Sequence, residues 1–250
     1  MSSAFENKVA FITGAGSGIG EAAAKAFAHE SASVAVADID FDAAERVASE
    51  ITGKGGKAIA YKLDVSDDAA VALVLAQVEK DFGALHIAHN NAGIGGEIAP
   101  IPDHSNDSWR KVMSVNLDGV FYCMKHEIPL MKKSGYGSII NMSSILGAVG
   151  FANSPGYVAS KHGVVGLTKA AAIECAVDGI RVNSVGPSVI KTPILDVLPQ
   201  EDLAGIAARH PVNRLGTCEE VAALILFLAS PAASFVTGSY YAVDGGYLAW

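Results

Sequence analysis

The chain has 250 residues, half of them hydrophobic and 18% charged, with a formal net charge of −8. A chain of this size and apolarity buries a full core, most simply as one large domain, and is too hydrophobic for disorder. The negative charge argues against nucleic acid or an anionic membrane as partner.

Residues 8–13, K-V-A-F-I-T, form a short apolar run of β type. It breaks into T-G-A-G-S-G-I-G over 13–20, and an alanine-rich helical stretch follows to about residue 30. A second buried strand at 33–37 ends in Asp38. The pattern repeats as a helix near 41–53, a strand near 57–63, a helix near 67–82 and a strand at 85–89. One long helix is predicted over about 105–132, then a strand at 137–142. A glycine-dotted apolar loop leads to Ser154-Pro155, which reads as a helix start: serine as N-cap, proline in the first turn. That helix runs to about 177. A strand follows at 180–185, then an excursion over about 188–215 broken by Pro and Gly and holding a short helix. A helix at 218–229 and a strand at 240–243 close the chain. Alternating helices and near-continuously apolar strands imply a parallel sheet covered on both faces, with right-handed crossovers. The expected fold is α/β: a single doubly wound Rossmann-type domain over 1–250, with about seven parallel strands.

The three cysteines, Cys123, Cys175 and Cys218, lie far apart with no C-x-x-C. Neither a disulfide framework nor a zinc site is expected, and a reducing cytoplasm fits. The seven histidines show no metal-ligand spacing, so no metal is expected. Residues 1–7 are polar without a cleavage pattern, so no signal peptide is expected. The longest apolar runs, near 69–76 and 221–229, fall short of the ~18 residues that span a bilayer.

Gly14, Gly18 and Gly20 lie where a strand turns into a helix. Glycines there allow a tight turn and close backbone approach to a pyrophosphate, and the helix N-terminus offers free N–H groups to phosphate. Gly14, Ser17, Gly18, Ile19 and Gly20 are therefore candidate cofactor contacts. Asp38 ends the second strand, where a carboxylate accepts both ribose hydroxyls of an adenosine half. A 2′-phosphate there would meet a like charge, at ~4 kcal/mol per unit charge for 4 Å and an effective dielectric of 20. NAD is expected over NADP. Asp64 and Val65 end the third strand; they either meet the adenine edge, or Asp64 opens the next helix. Asn90, Ala92 and Gly93, in N-N-A-G, end the fourth strand beside the same crevice.

Tyr157 and Lys161 sit one helical turn apart on one face. An ammonium beside a phenol favours phenolate, so Lys161 is expected to lower the Tyr157 pKa. Moving it from 10 to near 7 takes about 4 kcal/mol. The Ser144 hydroxyl is placed to hold an oxygen substrate against the tyrosine.

With these pieces in place, the sequence resembles the short-chain dehydrogenase/reductase family over essentially its whole length. The matching residues are T-G-A-G-S-G-I-G (13–20), Asp64, N-N-A-G (90–93), V-N-L-D-G (115–119), N-M-S-S (141–144), Y-V-A-S-K (157–161) and V-D-G-G (243–246). The resemblance implies a tetrad of Asn116, Ser144, Tyr157 and Lys161. Ser144 is preferred to Ser143 because the family serine lies about a dozen positions before the tyrosine. In such enzymes the serine orients the substrate oxygen and the tyrosine exchanges its proton. The lysine lowers the tyrosine pKa and binds nicotinamide ribose, and the asparagine holds a water linking lysine to solvent. The backbone of Val189 and Ile190 and the Thr192 hydroxyl are implied to meet the nicotinamide amide. One departure stands out. The family usually has Pro-Gly after the sixth strand, and here Gly186-Pro187-Ser188 occurs, so the loop beside the nicotinamide is expected to be reshaped.

Three stretches, 94–102, 145–151 and 194–207, should frame the substrate pocket. They are mostly apolar, with Ile145, Leu146, Val149, Phe151, Leu195, Leu198 and Ile206; Glu97 and Glu201 are the nearby charges. A neutral, fairly apolar secondary alcohol or ketone is expected. The helix around 158–176 is apolar or small on nearly every side, which marks burial. With the family habit of pairing through this helix and the 105–132 helix, a homotetramer is expected. The function read here is an NAD-dependent secondary-alcohol dehydrogenase or ketone reductase. The alternatives are a 3-oxoacyl-carrier-protein reductase and a non-catalytic dinucleotide-binding protein. An enoyl reductase is disfavoured, because its tyrosine and lysine sit farther apart than four.

Overall fold

A computed structural model describes residues 4–192 and 200–249. Strand β1 (Val9–Thr13) leads through a glycine turn into helix α1 (Gly18–His29). Then come β2 (Ser33–Asp38), α2 (Phe41–Gly53), β3 (Lys57–Lys62), α3 (Asp68–Phe82) and β4 (Ile87–Asn90). The second half holds α4 (Asn106–Met113), α5 (Gly119–Ser134), β5 (Gly137–Met142), α6 (Pro155–Cys175) and β6 (Ile180–Pro187). It ends with α7 (Gln200–Ala207), α8 (Cys218–Ala229) and β7 (Tyr240–Val243).

All seven strands are parallel, in the order β3-β2-β1-β4-β5-β6-β7. The chain leaves β1 toward β2 and β3, then returns to build outward from β4 on the other side. The crevice between the carboxyl ends of β1 and β4 is therefore the topological switch point, where ligands of such sheets bind. Strand alternation divides the core. Phe11 and Ile139 enter the layer under α3, α5 and α6, while Ala10, Ile12 and Ile140 enter the layer under α1, α2 and α8. Among the described residues no helix is long and apolar enough to cross a membrane.

The long helix expected over 105–132 is broken. Helix α4, capped by Ser105 Oγ accepting from Ser108 N, gives way at Ser114–Asp118 to a π-helical turn before α5 begins. Such a turn inserts an extra residue into the ladder and often marks a functional position. Here it buries Asn116 completely. At Ser154-Pro155 the helix starts as expected, but the Ser154 side chain makes no capping bond.

Below the switch point lies a polar cluster inside the apolar core. Asn90 Nδ2 donates to Glu127 Oε2 (3.1 Å) and to Asn141 Oδ1 (3.0 Å), and Asn141 Nδ2 donates to Thr168 Oγ1 (3.0 Å). Glu127 is fully buried, and burial pushes its carboxyl up to about 8. A protonated Glu127 matches the cluster, because the remaining oxygens Glu127 Oε1 and Asn90 Oδ1 have no other partner. The folded pKa lies above the unfolded one. The native contribution is thus fully present below about pH 4.5 and is lost as pH rises toward 8. Replacing Glu127 by Gln keeps the geometry without the proton. The stability of Glu127→Gln relative to the parent should rise by roughly 3 kcal/mol between pH 5 and pH 8. Urea unfolding of both proteins at the two pH values checks this; a difference independent of pH would show that Glu127 is not held neutral.

Candidate active site

The crevice at the carboxyl ends of the strands encloses about 760 Å³ and is lined by residues from several separate loops. A hollow of similar size, about 800 Å³, lies at the other end of the sheet around Lys25, Glu50 and Lys57, away from the tyrosine and the glycine turn.

One wall is the glycine turn. Gly18 has φ +56°, a left-handed conformation at the helix start, and a Cβ on Gly20 would run into the Gly14 carbonyl. Ser17 is the N-cap residue of α1, yet its side chain makes no capping bond. The first N–H groups of α1 and the Ser17 hydroxyl thus face the crevice, where Gly14, Ser17, Gly18 and Ile19 form the lining. This arrangement suits a pyrophosphate.

The turn is joined to the fourth strand by Thr13. Its Oγ1 accepts from Asn91 N (3.0 Å) and Ala92 N (3.1 Å), while Asn91 Nδ2 donates to the carbonyls of Thr13 and Gly14, each at 3.0 Å. Ala92 and Gly93 line the crevice beside Asn91. Asn90 does not; its side chain belongs to the buried Glu127 cluster, because successive strand residues point to opposite faces. Asn91, part of the N-N-A-G motif but not among the candidate contacts, takes the crevice side.

At the far end Asp38 Oδ2 accepts from Gly16 N (2.8 Å) and Oδ1 from Asp40 N (3.0 Å), which holds the carboxylate at the rim. The neighbouring cation Arg46 donates to Gly16 O and is paired with Glu21 and Glu50, both at 2.7 Å. Asp64 and Val65 also line the crevice. Asp64 Oδ1 accepts from Ser66 N and Oγ, which lowers its pKa, while Asp67 caps α3; Asp64 does not open that helix itself. Lys111, also absent from the sequence candidates, lines the same crevice and adds to the lowering at Asp64.

The opposite end holds the tyrosine. Tyr157 and Lys161 both line the crevice; the Ser144 side chain lies close enough to the phenol to act on its pKa, and Lys161 Nζ lies 5.5 Å from the Tyr157 ring centroid. Of the adjacent serines, Ser143 is committed elsewhere: its Oγ donates to Lys161 O at 3.1 Å. Ser144 is positioned from behind by Tyr240, whose hydroxyl donates to the Ser144 carbonyl (2.9 Å). That ring also packs on Gly186, where a Cβ would collide with it, so glycine precedes Pro187 here. Ser188 stays out of the left-handed region, and the expected cost of replacing glycine there does not arise.

The electrostatics differ from the expectation. Burial raises the Tyr157 phenol, and only the neighbouring Ser144 side chain opposes it. Burial also pulls the Lys161 ammonium down to about 8. Lys161 is 3% exposed, and its Nζ donates to Met142 O at 2.8 Å. In the protein alone the tyrosine is not acidified, because its own burial outweighs what opposes it. Asn116 also takes a role the sequence did not indicate. Its Oδ1 accepts from Ile94 N (2.8 Å) and its Nδ2 donates to Ile94 O (2.9 Å), which pins the loop after Gly93.

The substrate end is walled by Ile94, Ile98, Leu146 and Phe151. Ile145 is packed in the core, and Val149 and Ile206 do not line the crevice. Leu195 and Leu198 lie outside the described residues, as does the Glu201 side chain. Glu97 turns away from the crevice: its Oε2 accepts from Ser105 N (2.9 Å) at the start of α4. Ile190 is buried in a bridge to Gly216, and Thr192 faces Gly18, with its methyl 3.4 Å from where a Cβ on Gly18 would lie.

Comparison with known proteins agrees with this geometry. A family model described as "Enoyl-(Acyl carrier protein) reductase" matches residues 14–248. The chain is 49% identical to a cyclohexanol dehydrogenase of Acinetobacter sp. (strain SE19), over 99% of this chain and 97% of the relative. It is 45% identical to a cis-4-hydroxycyclohexanecarboxylate dehydrogenase of Sinomonas cyclohexanicum, over the whole of both chains. The crystal structure of levodione reductase superposes with a TM-score of 0.92 at 34% identity, covering 98% of this chain and 99% of that one. The glycine turn at the switch point, the tyrosine and lysine one turn apart, and these full-length relatives place the chain in the short-chain dehydrogenase/reductase family, whose members are nicotinamide-dependent oxidoreductases.

Proposed function

We propose that this protein is an NAD-dependent dehydrogenase that interconverts a neutral secondary alcohol, with a carbocyclic alcohol as the leading class, and its ketone. The observation that carries the reading is that Tyr157 and Lys161, one helical turn apart, line the apolar end of a crevice whose other end is built for a dinucleotide. Two relatives are named for alcohols on a cyclohexane ring. Ile94, Ile98, Leu146 and Phe151 offer apolar contacts that suit such a ring; the cations on the same lining are Lys161 beside the tyrosine and Lys111 near Asp64.

Gly14, Ser17, Gly18, Ile19 and Gly20 would hold the pyrophosphate, Asp38 the adenosine ribose, Asp64 and Val65 the adenine side, and Ala92, Gly93, Ile190 and Thr192 the nicotinamide half. When bound, the cofactor supplies the hydride acceptor or donor. The rest falls to the chain. Ser144 donates a hydrogen bond to the substrate oxygen. Tyr157 takes the hydroxyl proton in oxidation and returns it in reduction. Lys161, anchored on Met142 O, lies beside that phenol and would meet the nicotinamide ribose; its charge favours phenolate whenever it is protonated. Asn116 keeps the wall at Ile94 in place.

The NAD preference rests on Asp38, with Arg46 already neutralised by two carboxylates. A reducing cytoplasm suits three separate free thiols. The assembly is a homotetramer paired through α5 and α6. Along α6 and just past its end an apolar stripe of Ala170, Ile173 and Val177 is left uncovered, with Ile173 80% and Val177 92% exposed, and Phe121 on α5 is half exposed.

Three outcomes are expected. Tyr157→Phe should lower turnover by about 10²–10⁴-fold, as loss of a general acid-base group does. NADH binding should stay within a few-fold of the parent. Near-normal turnover would assign the proton transfer elsewhere. Asp38→Asn should raise the NADPH/NADH ratio of kcat/KM at least about tenfold, since one opposed charge at a partly solvated rim is removed. An unchanged ratio would end the assignment of Asp38 to the ribose. Light scattering at micromolar concentration should give four times the chain mass; a monomer would remove the assembly.

A further inference from the structure

We propose that His210, acting through Ser188, is a positioning residue for the nicotinamide half of the site. The inference rests on the dinucleotide reading above and concerns the residue at which this chain departs from its family's usual glycine.

Ser188 follows directly on β6. Its Oγ lies 2.8 Å from His210 Nε2, and His210 Nδ1 lies 3.1 Å from Ile206 O. A carbonyl only accepts, so Nδ1 carries the ring proton, and Nε2 accepts the hydrogen bond that the Ser188 hydroxyl donates. The imidazole is 3% exposed and tilted against the Tyr247 ring near the chain end, with ring centroids 5.4 Å apart. Both ring nitrogens are therefore satisfied inside the protein, and the ring is held in one orientation. The main chain at Ser188 is registered too: its N–H donates to Val243 O at 3.1 Å.

What Ser188 begins is the strip that reaches Thr192. Its other edge is clamped by Gly216, whose N–H donates to Val189 O (3.2 Å) and whose carbonyl accepts from Lys191 N (2.8 Å). Thr192 then faces Gly18 across the crevice. The strip thus has three fixings: Gly216 along its edge and, at its root, the Ser188 N–H on Val243 O and the serine–histidine bond. A glycine at 188 would make all but the last. None of these hydrogen bonds involves Asp38, Asp64 or the glycine turn, so the serine–histidine bond should govern the nicotinamide end of the crevice and leave the adenosine end alone.

The test compares two ligands that share the adenosine half. NADH and ADP-ribose are titrated against the parent, Ser188→Ala, His210→Phe and the double variant, by nicotinamide fluorescence and by calorimetry. His210→Phe keeps a ring against Tyr247. Losing one buried hydrogen bond should weaken NADH about five- to tenfold in each variant. ADP-ribose should stay within about twofold of the parent, and the double variant should be no weaker than the worse single one. NADH affinity unchanged in Ser188→Ala overturns the proposal. So does an equal loss for ADP-ribose, which would mean a general loosening, and so do additive losses in the double variant. Should the parent bind neither ligand, the cofactor reading itself falls; binding by the parent with an unaltered Ser188→Ala sinks the positioning role alone.

Discussion

The site depends on one hydroxyl. Thr13 Oγ1 receives two backbone N–H groups from the segment after β4, and the Asn91 amide returns two bonds to the carbonyls of Thr13 and Gly14. These bonds join the ends of neighbouring strands that lie far apart in sequence. Parallel strands diverge at the switch point, and the backbone exposed there has no ladder partner. Tied in this way, the divergence becomes a crevice of set width with the glycine turn on one side and Ala92 and Gly93 on the other. The small residues are the consequence: a Cβ on Gly14 would already meet the Asn91 amide.

Burial then sets the chemistry of what enters the crevice. Desolvation acts on Tyr157 and Lys161 together, raising the phenol and lowering the ammonium, so both are pushed toward their neutral forms. With its pKa at about 8 the lysine still keeps its proton at neutral pH beside a neutral phenol, so the resting site holds a proton to give. The same physics acts beneath the site, where Glu127 sits neutral against Asn90. There it is structural: the neutral acid avoids an unpaired charge inside an apolar core, which would be costly.

The strip from Ser188 to Thr192 shows how a local departure is absorbed. Glycine at 188 would have needed no partner. Serine brings a hydroxyl, and the fold meets it with a buried imidazole from the segment after α7. The glycine before Pro187 has its own cause in the Tyr240 ring, whose hydroxyl also holds the Ser144 carbonyl. Two features that look like loop variation are therefore connected to the two ends of the reaction centre.

Strand and helix periods, the glycine turn and the four-residue spacing of Tyr157 and Lys161 are local properties, and they determined the parallel sheet, its crevice and the residues gathered there. Nearly every strand could be read to within a residue or two for the same reason. What the sequence left open was decided by partners distant in the chain. Whether Asn90 or Asn91 faced the crevice depended on the phase of β4 against β1 and β5. Whether Glu97 charged the pocket depended on its bond to the start of α4, and the break at Asn116 on its two bonds to Ile94. The ionisation of Lys161 was likewise beyond any spacing rule. A charge's energy is set by the solvent it loses, and only the packed structure specifies how much that is.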